Sequence, residues 1–121
     1  MTHPSPKRME EIFREIERFG GCVVGAFEGS QLIGTCTVNM CSNLSWSGRP
    51  YAMIENVIVS KNFRNIGIGK AILEFAKNWA LDKGCYKVAL MTGSKKPETL
   101  HFYESAGFVG NKTGFQYRSG A

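Results

Sequence analysis

Two glycines and two cations share one short stretch, Arg64-Asn65-Ile66-Gly67-Ile68-Gly69-Lys70. An apolar, β-branched run, Tyr51 to Val59, comes just before it. After it, Ile72, Phe75, Ala76, Trp79 and Ala80 recur at helical spacing. The stretch therefore reads as the junction between a strand and a helix. The first amides of a helix have no intrahelical partner, and the helix dipole puts partial positive charge on them. Glycine lets a ligand approach the backbone closely. Such a junction holds anions, and a pyrophosphate is its natural occupant. Arg64 and Lys70 add formal charge.

Two common phosphate-binding motifs fail here. A Walker loop needs Gly five residues before the Gly-Lys pair and Ser or Thr after it. Position 64 is Arg and position 71 is Ala. The dinucleotide fingerprint needs a third glycine three residues after Gly69, and position 72 is Ile.

The junction resembles the signature of a family. Arg64-x-x-Gly67-x-Gly69, directly after Ile54-Glu55-Asn56-Val57-Ile58-Val59, is similar to that of the GNAT superfamily of acyl-CoA N-acyltransferases. A second segment agrees: Phe102-Tyr103-Glu104-Ser105-Ala106-Gly107-Phe108 resembles the family's F-Y-E-x-x-G-F element. The resemblance spans roughly residues 22 to 117. It implies acetyl-CoA as co-substrate, lying in a V between two splayed parallel strands, Met53–Val59 and Tyr86–Met91. The backbone of Val57, Ile58 and Val59 would line the pantetheine arm as an added strand would. The segment from Arg64 through Asn65, Ile66, Gly67, Ile68 and Gly69 to Lys70 would hold the pyrophosphate, with Phe102 beside the cofactor. The side chains of Val57 and Val59 are expected in the core.

The reaction so implied needs three groups. An ammonium with pKa near 10.4 must lose a proton before its nitrogen attacks. The thioester oxygen needs a donor as charge develops on it. The departing thiolate benefits from a proton. Tyr103 matches the family tyrosine that protonates the sulfur. Glu55, an acid within an apolar strand, is the candidate base, directly or through water; a solvated strand position or a structural pairing with Arg49 are the competing readings of its carboxylate. An N–H near Val57 is the candidate oxyanion donor. His101 is read as a surface histidine.

These residues need a scaffold. Ser5-Pro6 reads as N-cap and first residue of a helix, with Met9, Ile12, Phe13, Ile16 and Phe19 on one face and Gly20-Gly21 as its stop. Strands are expected at Cys22–Phe27 and Leu32–Met40, turned by Glu28-Gly29-Ser30-Gln31. The polar stretch Ser42–Pro50 is a loop in which Leu44 and Trp46 are candidates for lining a cleft. Further strands are expected at Tyr51–Val59 and Tyr86–Met91. A short helix should start at Pro97 and run through Ala106, followed by strands at Phe108-Val109 and Thr113–Tyr117. The fold class is α/β (α+β), a single domain over residues 1–121: a mixed, mostly antiparallel sheet with helices on both faces. The family's usual first strand is absent from this order. That leaves a sheet edge, a pairing site, and a homodimer is the expected remedy.

Composition narrows the rest. The chain has 121 residues and is 43% hydrophobic, enough for one core. No apolar run nears the roughly 18 residues of a membrane span, and no secretory signal opens the chain; a soluble, cytoplasmic protein is expected. Cys22, Cys36, Cys41 and Cys85 form no C-x-x-C pair, so no metal site is expected. The net charge of +5 is scattered rather than clustered, which speaks against nucleic acid and for a phosphorylated small molecule. The expected acceptor is a small-molecule amine, a peptide N-terminus or a lysine. A domain that binds acyl-CoA without catalysis is the alternative.

Overall fold

The computed structural model describes residues 3–120. Helix α1 (Pro6–Arg18) starts where Ser5 Oγ accepts from the Arg8 N–H at 3.2 Å, with Pro6 in the first turn. It is followed by β1 (Cys22–Glu28), β2 (Gln31–Cys41), β3 (Tyr51–Val59), α2 (Ile68–Asp82), β4 (Lys87–Ala89) and α3 (Pro97–Ser105). The strands form one sheet in the order β1-β2-β3-β4. The short β1–β2 and β2–β3 links make those pairs antiparallel, and the β3–β4 crossover, which contains α2, makes the last pair parallel.

Alternation decides what each strand buries. Cys36 and Val38 of β2 and Ala52 and Ile54 of β3 point to one face. There they meet Ile72, Leu73, Ala76 and Ala80, the buried stripe of α2, and this is the core. The opposite face carries Val23, Thr37, Asn39 and Glu55, with α1 above it. Helix α1 has no fully buried residue; Ile12 and Ile16 are half-buried and Phe13 is exposed.

One irregularity governs the site. Thr35 pairs with Ile58 but Thr37 pairs with Glu55, so β3 carries an extra residue opposite Cys36. Asn56 takes up the difference with φ of 55°, a left-handed conformation that Asn tolerates better than most residues. The β3–β4 ladder stops short of this bulge, at Met53–Ala89.

Three sequence expectations fail for this reason or a related one. The strand expected over Tyr86–Met91 is ordered only at Lys87–Ala89, because Leu90 and Met91 have no ladder partner where β3 and β4 part. Phe108-Val109 and Thr113–Tyr117 form no strand. Phe115 and Tyr117 are almost fully exposed, since period-2 apolar residues become a strand only against a partner.

Candidate active site

The end of β3 is pinned on one side only. The Ser60 N–H donates to the Ile33 carbonyl on β2 at 2.8 Å. Backbone groups alternate along a strand, so Ile58 also faces β2, its Thr35 neighbour. Val57 and Val59 then present their N–H and C=O groups to the other edge, where β4 has already left. That edge is a short, open slot for an extended chain. Arg64 closes its end: Nε donates to the Val59 carbonyl at 3.1 Å. The Val57 and Val59 side chains pack against the core, as expected.

The chain then turns through two left-handed residues, Asn65 (φ 64°) and Gly67 (φ 91°). Gly67 is the N-cap of α2, and no side chain caps it. Its carbonyl accepts the first helical bond, from the Ala71 N–H at 3.0 Å. The preceding amides of Ile68, Gly69 and Lys70 have no helical acceptor. They point out of the helix beside the open edge of β3. Open slot and uncapped helix start are contiguous, and a helix start of this kind suits an anion.

Gly69 serves a second purpose that sequence reasoning missed. A Cβ there would lie 2.9 Å from Phe102 Cζ and 3.5 Å from Val59 Cγ2. The Phe102 ring therefore sits over Gly69 and links α3 to the β3–α2 junction. A side chain at position 69 would have to displace the Phe102 ring. Lys77 Nζ donates to the Ala106 carbonyl at 2.9 Å and ties α2 to the end of α3.

Tyr103 is partly buried and meets Phe102 edge-on, centroids 5.0 Å apart. Burial pushes its hydroxyl above the ordinary tyrosine value of 10.0, so it holds its proton throughout the neutral range. Among the described residues no hydrogen bond engages that hydroxyl. Glu55 is exposed, opposite Thr37. The alternative pairing with Arg49 does not occur: Arg49 donates to the carbonyls of Gly84 and Cys85 at 3.2 and 3.3 Å. His101 is exposed on α3. On the Glu55 face, between α1 and the sheet, lies a cleft of about 630 Å³ lined by Ile12, Phe13, Ile16, Thr37, Asn39 and Asn56 among others. Its membership was not readable from sequence, because it depends on which strand face α1 covers. Among the described residues no three His, Cys, Asp or Glu side chains gather to hold a metal.

The description "Acetyltransferase (GNAT) family" matches residues 1–108. The chain belongs to the GNAT acetyltransferase family. It is similar to glucosamine 6-phosphate N-acetyltransferase of Trypanosoma brucei brucei, 31% identical over 97 residues, covering 78% of this chain and 64% of that protein. It is also similar to streptothricin acetyltransferase of Escherichia coli, 29% identical over 105 residues, covering 87% of this chain and 57% of that one. The chain thus spans less than two thirds of the length of these two relatives. Among solved structures, glucosamine-6-phosphate N-acetyltransferase from Arabidopsis thaliana superposes with a TM-score of 0.85 at 25% identity, over all of this chain and 83% of that one. A structure from Agrobacterium tumefaciens str. C58 reaches 0.88 at 36% identity, over 98% and 83%. The four-stranded, mostly antiparallel sheet with its three helices is a GNAT fold.

Proposed function

We propose that this GNAT protein is an acetyl-CoA-dependent N-acetyltransferase acting on a primary amine of a small molecule. One observation carries the reading: the edge of β3 at Val57 and Val59, which β4 leaves without a strand partner, runs directly into the uncapped amides of α2. The edge suits the pantetheine arm, the amides of Gly67 to Lys70 suit the pyrophosphate, and Arg64 adds charge at their junction. The names of the relatives, acetyltransferases of an amino sugar phosphate and of streptothricin, favour a small-molecule acceptor over a protein lysine.

The chemistry follows from the two sides of β3. The acceptor approaches on the Glu55 face, where the cleft under α1 opens. Glu55, directly or through water, takes the proton that the ammonium must lose. The free amine nitrogen attacks the thioester carbonyl carbon, and the oxygen that gains charge accepts from an N–H near Val57. The new C–N bond persists, the C–S bond breaks, the thiolate takes the Tyr103 proton, and the second proton that the nitrogen sheds on becoming an amide returns to the tyrosinate, directly or through water. Tyr103 suits that task because burial keeps it protonated.

The experiment is free-thiol release from acetyl-CoA across a panel of amino sugars, aminoglycosides, polyamines and peptides. Release that depends on one class of amine is the expected result. Acetyl-CoA binding with no release for any amine would overturn the catalytic reading and leave an acyl-CoA-binding domain.

A further inference from the structure

The loop between β2 and β3 presents an indole in a conformation that L-residues avoid. Trp46, Ser47 and Gly48 are three successive left-handed residues, with φ of 52°, 56° and 75°. Hydrogen bonds hold the loop rigid. Asn43 Nδ2 donates to the Ser45 carbonyl at 3.0 Å and the Arg49 carbonyl at 3.3 Å. The Arg49 N–H donates to the Trp46 carbonyl at 3.1 Å, and the Arg49 guanidinium is fixed to Gly84 and Cys85. Core formation does not explain this outlay, because Trp46 stays 66% exposed.

The indole is nevertheless ordered on one side. It stacks on Tyr86 with centroids 5.1 Å apart and planes 19° from parallel. Tyr86 meets Tyr51 edge-on at 6.4 Å. Lys87 Nζ lies 4.9 Å from the Tyr51 ring centre and 5.6 Å from that of Tyr86. Lys87 has no ion-pair partner among the described residues. The result is a ledge with an open aromatic face and an unneutralised ammonium at its root.

Register connects the ledge to the candidate site. Tyr51, Met53 and Glu55 alternate onto one face of β3, opposite Cys41, Asn39 and Thr37. Asn39 and Thr37 also line the cleft under α1. Glu55 lies four positions along the strand from Tyr51, about 13 Å at the usual rise.

We infer that this ledge is a specificity site for the far end of an extended acceptor. It takes a planar ring on the open face of the Trp46 indole, and the Lys87 ammonium, held against Tyr51 and Tyr86 behind that indole, favours an anionic substituent on the ring through its field. The acceptor's amine then lies at Glu55. A cationic ring is disfavoured there by Lys87. The position of the amine rests on the acetyltransferase reading above; ring binding does not.

The test uses amines of graded length joined to a benzoate ring: mono-(ω-aminoalkyl)amides of terephthalic acid. KM should pass through a minimum at one chain length, because the ledge and Glu55 sit at fixed places on the same sheet, and chains too short to span the Tyr51–Glu55 stretch of strand should show none of the ring's benefit. Trp46→Ala should raise that KM about ten-fold, the scale of a lost stacking contact, with kcat within about two-fold. Acetylation of propylamine, which has no ring, should be unchanged. Lys87→Gln should raise KM for the benzoate compound and not for the matching benzamide without a carboxylate. Terephthalamate, which has no amine, should quench a tryptophan emission that Trp46→Ala lacks, a readout independent of turnover. Unchanged KM in Trp46→Ala, or no Trp46-dependent quench, overturns the ledge. Quenching without acetylation of any amine in the series upholds the ring site and overturns the placement of the acceptor's amine at Glu55; the acetyltransferase reading itself stands or falls on the amine panel above.

Discussion

Tyr103 gains its proposed role from burial rather than from a partner. An exposed tyrosine is already protonated at neutral pH; partial burial against Phe102 moves its pKa further up. The hydroxyl therefore remains a donor throughout the neutral range. Tyr103→Phe removes that proton and almost no volume. Steady-state kinetics between about pH 6.5 and 9.5 should show kcat reduced by roughly 10²–10⁴-fold, with little change in acetyl-CoA affinity. Wild-type kcat in the variant would make Tyr103 a packing residue. At this scale the sequence was informative about identity and poor about contact. The motif around Phe102 singled out Tyr103, and Asn56 was visible as a polar break in an apolar strand. That Phe102 covers Gly69 and Val59 was not visible, because three separate elements meet there. Nor could the sequence say that Asn56 carries the left-handed bulge, since it sits beside Glu55 and either residue could have marked the break.

The elements follow local signals wherever a partner lies nearby. Ser5-Pro6 starts α1, and the apolar stripe Ile72, Leu73, Ala76, Ala80 places α2 on the sheet. β3 was legible over its full Tyr51–Val59 length because both its neighbours are close in sequence or carried by α2. β4 was overestimated because the bulge that parts it from β3 lies on the other strand. The seal between sheet and α2 has a chemical signature of its own. Cys36 is fully buried there, and burial first, then the neighbouring Cys22 thiol, pushes its pKa from 9.0 to about 11. Between these values the unfolded chain loses a proton that the folded chain keeps. Stability is therefore fully present below pH 9 and is lost as pH rises towards 11, by at most about 2–3 kcal/mol from this group. Cys22 and Cys85 shift in the same direction through burial. Thermal melts from pH 8 to 11 should fall less steeply for Cys36→Ala than for the wild type. Equal slopes would show that the thiol does not report on this interface.

The whole molecule is a sheet with two edges. Connection lengths were enough to expect three antiparallel strands and to allow a parallel crossover, and the two motifs, not the connections, carried the likeness to GNAT. They could not give the fate of residues 108–120, where apolar alternation is present without a partner to make it a strand. At the other side β1 pairs only with β2 among the described residues, and it exposes Val23 and Phe27. An unprotected edge with apolar side chains favours association, and a twofold dimer is the simplest closed form. Light scattering at micromolar concentration should give twice the 13.4 kDa chain mass. A mass of 13.4 kDa throughout that range would refute the homodimer. No helix among the described residues is long and apolar enough to cross a membrane.

Everything proposed for catalysis depends on the β3–α2 junction holding a pyrophosphate, and calorimetric titration with two ligands tests this most directly. Acetyl-CoA and acetyl-pantetheine share the thioester arm, and only the first has the pyrophosphate that Ile68, Gly69 and Lys70 would hold. Hydrogen bonds to a charged group contribute roughly 1.5–3 kcal/mol each, so two or more should favour acetyl-CoA by about 100-fold or greater. Acetyl-CoA binding with that margin is the predicted result. Equal affinity for the two ligands, or no binding of acetyl-CoA, would contradict it.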